Sequence, residues 1–200
     1  MLVAVTKTVS AEVTAAAIAA GLTDLGENRV QEAQAKIPAV GRDRARWHLV
    51  GHLQRNTAGR AVELFDRIHS VDGIGLAEAL SRRARAAGRS LPVLAEVNVG
   101  GEATKFGVAP ADLEPLLEAV AVLPGLALDG LMTVGPEVAS WEDARPGFER
   151  LRRLRDGAAQ RLGLALPVLS MGMSGDFEAA IEEGSTMVRV GSAIFGARPA

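Results

Sequence analysis

Lys7 is the residue of this sequence whose type and position are best suited to covalent chemistry. It ends residues 2–7 (LVAVTK), a short apolar and β-branched run of the kind that forms buried strands. Burial disfavours the charged ammonium form of lysine, and the neutral amine can attack an aldehyde. Alternatively, Lys7 extends to the protein surface and forms an ion pair with Glu27. Sequence position alone leaves both interpretations open.

Glycines and serines near the C-terminus form a pattern that is suited to phosphate binding. The segments are SMGMSGD at 170–176 and RVGSAIFG at 189–196. Glycine lets backbone N–H groups approach an anion, Ser174 and Ser192 carry hydroxyl donors, and a short helix after Gly191 would point its positive end at a phosphate. The alternative is that the small residues only permit tight turns. Because two such segments follow one another, we expect a phosphate site.

A reactive amine and a phosphate site together indicate two classes of protein. One is a Schiff-base aldolase that acts on sugar phosphates, and the other is a protein that binds pyridoxal phosphate (PLP). Arg189 lies two residues before Gly191 and therefore on the same strand face, from which it could contact a phosphate or a pyridine nitrogen. An aldolase has less use for such an arginine, so the residues favour PLP.

The elements that must position these groups alternate between strand and helix. Eight strand-like segments occur in order: LVAVTK from Leu2, LTDLGEN from Leu22, RWHLVGH from Arg46, RIHSVD from Arg67, VLAEVNV from Val93, LALDGLMTV from Leu126, PVLSMGMS from Pro167 and MVRVGSAIFG from Met187. Helical crossovers make such strands parallel, and we predict a single (β/α)8 TIM-type barrel that occupies residues 1–200 as one domain. An open doubly wound sheet is the alternative, but no Gly-rich dinucleotide turn accompanies these segments.

The loops that follow the strands of such a barrel build its functional face. Polar residues at the ends of the predicted strands should therefore meet on one rim. They are Lys7, Glu27, Asn28, His52, Asp72, Asn98, Thr133, Ser174 and Arg189.

Composition excludes several classes of function. The net charge of -2 disfavours nucleic acid and anionic membranes as partners, and the absence of cysteine excludes disulfides and thiolate metal sites. We expect a cytoplasmic protein, because no secretion signal or apolar run of about 20 residues is present.

Histidines and methionines receive lesser roles. His48 and His52 are four residues apart, but a metal site needs further ligands, so we predict no metal. We expect His52 to form hydrogen bonds at the rim and His48 to be a hydrogen-bonded interior group. Met171 and Met173 should pack against the cofactor or inside the barrel.

Seven blocks of the chain, in order, resemble the pyridoxal phosphate homeostasis protein family, also called the proline synthetase co-transcribed homologue family. The blocks are AVTKT around Lys7, GENRVQE from Gly26, WHLVGHLQRN from Trp47, HSVD from His69, VNVGGEATKFG from Val97, GLMT from Gly130 and SMGMSGDFEAAIEEGSTMVRVGSAIFG from Ser170. Seven blocks in order are far more specific than any single motif.

The resemblance implies a barrel of the alanine racemase N-terminal type that holds PLP as an imine of Lys7. It places Ser174, Gly191 and Ser192 around the phosphate, Arg189 near the ring and Asn28 close to the cofactor; with His52 and Met173 these form the predicted binding set. It also implies a role in intracellular vitamin B6 homeostasis without established turnover. Apo PLP enzymes are then candidate partners.

The absence of tyrosine bears on catalysis. Barrel racemases resemble one another in pairing a lysine with a tyrosine that a second domain and a dimer partner supply. An arginine beside the pyridine nitrogen also cannot accept its proton, which leaves the ring a poor electron sink. We therefore assign no catalytic residue and expect a monomer that is not an enzyme. A weak PLP-dependent racemase or a Schiff-base aldolase is the alternative.

The chain departs from the family pattern in two places. Family members usually carry a helix before the lysine strand, whereas this chain begins one residue before it. The family commonly has serine where Gly100 stands and a small polar residue where Phe106 stands. Lys105, in the same loop, is a rival to Lys7 for the cofactor.

Overall fold

Eight parallel strands, each followed by a helix, make up the described part of the chain. The computed structural model describes residues 1–135 and 140–196. The strands are β1 (Leu2–Val5), β2 (Asp24–Glu27), β3 (Arg46–Leu49), β4 (Arg67–Val71), β5 (Leu91–Glu96), β6 (Leu126–Met132), β7 (Val168–Ser170) and β8 (Val188–Val190). The helices are α1 (Ala11–Ala19), α2 (Val30–Val40), α3 (Ala58–Leu64), α4 (Ile74–Ala86), α5 (Leu113–Ala121), α6 (Trp141–Leu162), α7 (Phe177–Glu182) and α8 (Ser192–Phe195).

The strands close into a barrel because β8 pairs with β1 on one side and contacts β7 on the other. The sheet order is β7-β6-β5-β4-β3-β2-β1-β8, and β1 pairs with β8 in the register Val3↔Arg189. β7 and β8 contact each other through the parallel bridge Ser170↔Met187 and through backbone hydrogen bonds. Among these, the Met187 N–H donates to the Leu169 carbonyl at 3.1 Å and the Arg189 N–H donates to the Gly172 carbonyl at 3.0 Å. The predicted (β/α)8 barrel is therefore confirmed, and the open doubly wound sheet is wrong.

Apolar stripes on the outer helices cover the barrel, as their spacing predicts. Phe148, Leu151 and Ala158 of α6 are completely buried. The buried residues of α5 are Leu113, Leu116, Leu117 and Val120. The Ser10 hydroxyl caps α1 by accepting the Val13 N–H at 3.3 Å. The main apolar core therefore lies between the barrel wall and its helices.

The strands end earlier than the segments that predict them, and β1 and β3 are two examples. β1 stops at Val5 because the Thr6 carbonyl turns away from the sheet and accepts the Val9 N–H at 3.0 Å, so Lys7 lies in a turn. β3 stops at Leu49, and His52 therefore lies in the following loop instead of sharing a strand face with His48. Both side chains still lie at the carboxyl end of the barrel.

Gly130 shows how tightly β6 and β7 pack. Its φ is +156°, and a Cβ there would lie 1.9 Å from the Val168 carbonyl oxygen. Only glycine fits this approach of two backbones. Across residues 1–135 and 140–196, no helix combines the length and the apolar character that a bilayer crossing needs.

Candidate functional site

A pocket of about 770 Å³ opens at the carboxyl ends of the strands. All eight residues of the predicted binding set line it: Lys7, Asn28, His52, Met173, Ser174, Arg189, Gly191 and Ser192. They come from β8 and from the loops after β1, β2, β3, β7 and β8. Residues from opposite ends of the sequence thus meet in one place, while their roles toward a ligand stay predictions.

A second, buried lysine, Lys36, stabilises the turn that carries Lys7. Lys36 Nζ donates hydrogen bonds to the Thr6 carbonyl at 2.5 Å and to Glu27 Oε1 at 2.7 Å. The Thr6 hydroxyl donates to the same Glu27 oxygen at 2.6 Å, and Glu32 Oε1 accepts the Thr8 N–H at 2.5 Å. These contacts fix the backbone on both sides of Lys7.

Glu27 has Lys36 as its ion-pair partner in this cluster. Burial raises the pKa of Glu27, although the hydrogen bonds from Lys36 and Thr6 oppose the shift. The sequence suggests Glu27 as an alternative partner for Lys7, and the contact with Lys36 is found only in the structure. A polar residue on the inner face of α2, at position 36 among Ala33, Ile37 and Val40, was the available signal.

Asn28 is placed by a close contact between two loops. A Cβ at Gly51 would lie 2.3 Å from the Asn28 carbonyl oxygen and 2.9 Å from its Cα. Glycine at position 51 therefore lets the loop after β3 pack directly on the loop after β2. Asn28 keeps a half-buried position on the pocket wall.

His52 contacts two other side chains, Phe106 and Asp72. Its ring stacks on Phe106, with centroids 3.7 Å apart and planes inclined by 10°. His52 Nδ1 lies 3.2 Å from Asp72 Oδ2. Burial raises the pKa of Asp72, and the neighbouring His52 opposes this shift. Phe106 is 54% exposed, so an aromatic face lies at the mouth of the pocket.

Backbone donors converge at the other side of the pocket. The Gly191 N–H donates to Ser174 Oγ at 3.1 Å, and the Ala193 N–H donates to the same oxygen at 3.3 Å. Gly172, with a φ of +93°, shapes the adjoining loop, because a Cβ there would lie 2.6 Å from Ala180 Cβ. Two N–H groups that point at one acceptor are an arrangement of the kind that suits an anion.

Arg189 lies at the inner end of the pocket, and both terminal nitrogens of its guanidinium donate hydrogen bonds that hold it in place. Nη1 donates to the carbonyl and to the hydroxyl of Ser170, each at 2.8 Å, and Nη2 donates to the Thr133 carbonyl at 2.8 Å. The residue is 4% exposed. Burial lowers its pKa to about 10, although the charges of Glu96 and Asp176 oppose the shift, and it remains a cation at neutral pH.

Glu96 is a pocket residue that sequence reasoning missed. It ends β5, is 4% exposed, and its Oε2 has no hydrogen-bond partner among the described residues. Burial and then the charge of Asp72 raise its pKa to about 7, against the opposing charge of Arg189. The signal was a carboxylate inside the apolar run VLAEVNV, where an isolated charge is costly.

The rim residues Asn98 and Thr133 have structural roles. Asn98 Nδ2 donates to the Glu102 carbonyl at 2.9 Å, and its Oδ1 accepts the Gly101 N–H at 2.9 Å. The Thr133 hydroxyl donates to the Val97 carbonyl at 2.7 Å. These contacts shape the loops after β5 and β6. The described part of the chain has no group of three or more His, Asp or Glu side chains that could hold a metal ion.

Comparison with known proteins shows the family. The alanine racemase N-terminal domain model matches residues 1–199. A pyridoxal phosphate homeostasis protein from Aquifex aeolicus is 45% identical over 197 residues, which cover 98% of this chain and 86% of the relative. The chain belongs to the pyridoxal phosphate homeostasis protein family.

Solved structures of the family protein PipY from Synechococcus elongatus PCC7942 have the same fold. The structure without PLP has a TM-score of 0.93 at 40% identity, and the structure with PLP bound has a TM-score of 0.91 at 39% identity. Each match covers 98% of this chain and 92% of the PipY chain. The resemblance seen in the seven sequence blocks and the alanine racemase N-terminal type of barrel are both confirmed.

In this family member, the raised pKa of Glu96 predicts a pH-dependent stability. The folded protein retains a proton on Glu96 up to about pH 7, whereas the unfolded chain loses it near the ordinary value. Stability should therefore fall as pH rises through this window. Glu96→Gln removes the effect, so its stability relative to the wild type should rise by about 2 kcal/mol between pH 5 and pH 8.

Urea unfolding of both proteins at the two pH values measures this difference. Glu78→Gln is the control, because its side chain is 52% exposed. A Glu96→Gln variant whose stability relative to wild type is the same at both pH values would contradict the assignment.

Proposed function

We propose that this protein binds PLP in the pocket at the carboxyl end of the barrel, holds it through a covalent C=N bond to Lys7, and takes part in intracellular vitamin B6 homeostasis. The observation that carries the proposal is the meeting of Lys7 with Ser174 and Gly191 in one pocket. The Ser174 oxygen accepts the N–H groups of Gly191 and Ala193. Family membership and the PLP-bound structure of PipY support it.

The donor set of the pocket fits the chemistry of PLP. At one side, the Ser174 hydroxyl and the N–H groups at its oxygen suit a phosphate. Lys7 supplies a primary amine, and Val5, Val50 and Met173 supply apolar surface for a ring. When bound, PLP supplies an aldehyde for a primary amine and a pyridine ring that can withdraw electrons.

Arg189 is the group that favours holding the cofactor over turning over a substrate. Its guanidinium can donate hydrogen bonds but cannot accept a proton. At a pyridine nitrogen it would therefore leave the nitrogen unprotonated and reduce electron withdrawal by the ring. The chain also has no tyrosine to act as a second base. We propose that the protein is not an enzyme.

The wider cellular role is proposed on the same basis. Phe106 lines the pocket and is 54% exposed, which places an apolar face where another protein could contact the mouth of the site. We propose apo PLP enzymes as recipients of the cofactor, and a monomer in the cytoplasm as the working form. The net charge of -2 supports a protein without nucleic-acid or membrane partners.

Lys7→Ala should abolish covalent attachment of PLP. The wild type mixed with PLP is expected to develop a visible absorption band and, after borohydride reduction, to carry the label on the peptide that contains Lys7. Lys105→Ala is the matched control, because the Lys105 ammonium donates to the Gly135 carbonyl at 2.5 Å and the residue does not line the pocket. Label that persists on Lys105 in Lys7→Ala would contradict the assignment.

Ser174→Ala should weaken the binding of PLP more than that of pyridoxal, which lacks the phosphate. Loss of one hydrogen bond to a charged group costs about 1.5 to 3 kcal/mol, which is roughly a ten-fold to hundred-fold loss of affinity. Fluorescence titration with the two ligands measures the difference. Equal losses for both ligands would show that Ser174 does not contact the phosphate.

Exchange of the α-hydrogen of amino acids tests the proposed lack of turnover. The protein loaded with PLP should exchange deuterium into alanine or serine no faster than the same concentration of PLP in buffer. Proton NMR follows the reaction directly. Exchange well above that rate, and lost in Lys7→Ala, would instead identify a weak PLP-dependent enzyme.

A further inference from the structure

A continuous chain of buried hydrogen bonds leads from the pocket through the barrel interior. Arg189 Nη1 donates to Ser170 Oγ at 2.8 Å, and this oxygen lies 3.0 Å from His69 Nδ1. His69 Nε2 lies 3.0 Å from His48 Nδ1, and His48 Nε2 lies 3.1 Å from Asp24 Oδ1. None of the five residues is more than 4% exposed. They come from β8, β7, β4, β3 and β2 in turn.

When both imidazoles are neutral, the Asp24 end fixes the direction of this chain of hydrogen bonds. A guanidinium only donates hydrogen bonds, and an ionised carboxylate only accepts them. With both imidazoles neutral, the His48 proton must lie on Nε2 to reach Asp24, and the His69 proton must lie on Nε2 to reach His48. Ser170 then donates its hydroxyl proton to His69 Nδ1. A hydroxyl lone pair is thereby turned toward Arg189.

Burial and neighbouring charges maintain the protonation states of Asp24 and His69 in this chain of hydrogen bonds. Burial works to raise the pKa of Asp24, but hydrogen bonds from His48, Arg46 and Thr23 hold it well below its ordinary value. Arg46 binds this carboxylate with two nitrogens, each at 2.8 Å. Burial lowers the pKa of His69 well below its ordinary value, and the positive charges of Arg189 and Arg67 lower it further. The acceptor end therefore stays ionised, and His69 stays neutral.

We propose that His48, His69 and Ser170 are positioning residues that orient the Arg189 guanidinium toward the ring of the bound cofactor. The inference rests on the proposed function for the identity of that ligand. Nη1 and Nη2 of Arg189 are engaged by Ser170 and Thr133, which fixes the plane of the guanidinium and leaves its remaining N–H groups for the pocket. Without His69, the Ser170 hydroxyl proton can rotate toward the Arg189 guanidinium and weaken the hydrogen bond that Nη1 donates to Ser170 Oγ.

The proton positions can be tested without cofactor. Nitrogen-15 NMR of the imidazoles at neutral pH should show a proton on Nε2 of each ring and His69 in the neutral form. A proton on Nδ1 of His69, or a positively charged His69, would overturn the proposed direction of the chain.

Variants test the effect of the chain on the ligand. Ser170→Ala and His69→Leu should each bind PLP about ten-fold more weakly, since each removes a hydrogen bond that supports a charged group, and the absorption maximum of the bound cofactor should shift. His69→Gln keeps one donor and one acceptor and should recover most of the affinity and the wild-type absorption maximum. Ser185→Ala is the control, because the Ser185 hydroxyl contacts the Met171 and Met187 carbonyls at 2.8 and 3.1 Å.

The outcomes separate the two proposals. If the wild type binds no PLP, the proposed function fails, and the NMR result still decides the direction of the chain. If the wild type binds PLP but Ser170→Ala and His69→Leu keep its affinity and absorption maximum, the positioning role is wrong. If those two variants do not fold, His69→Gln decides: a folded Gln variant without wild-type absorption would also overturn the role.

Discussion

The pairing of β1 with β8 is the contact on which the site depends. With Val3 opposite Arg189, the turn that carries Lys7 and the loop that begins at Gly191 leave the barrel side by side. A Cβ at Gly191 would lie 3.3 Å from the Val5 carbonyl oxygen, which shows how close the two loops are. Neither the amine nor the paired N–H groups would form a site alone. Closure of the barrel creates the site by joining the two ends of the chain.

A second constraint is the polar interior beneath the pocket. Branched apolar side chains usually fill the centre of such barrels, but here His48, His69, Ser170, Glu96 and Arg189 are all buried there. Buried polar groups are costly unless they are paired, and hydrogen bonds join four of these five directly. Glu96 is the exception, with one unpaired oxygen and a raised pKa. Beneath the pocket, polar side chains thus replace the usual apolar packing of the barrel interior, and they hold buried charged groups in fixed positions.

The sequence allowed the fold and the family to be predicted, because alternation of strand and helix and seven ordered blocks are local patterns. It also identified eight residues that the structure brings to one pocket, among them Lys7 and Ser174. It did not reveal the support of the Lys7 turn by Lys36 or the links from Arg189 to Asp24. These contacts join different strands and helices, so their partners depend on barrel register. The apolar run also hides the end of β1, because the turn after Thr6 is held by a hydrogen bond from Lys36 of α2.

The Ser174 hydroxyl has a consequence for how readily an anion can leave. Its oxygen accepts the N–H groups of Gly191 and Ala193. On the proposed function, a phosphate at this place would replace that oxygen as the acceptor of the two N–H groups, and the Ser174 hydroxyl could then donate its proton to the same phosphate. The hydrogen bonds given up on binding would offset part of those gained, and the hydroxyl would satisfy the two N–H groups again when the ligand leaves.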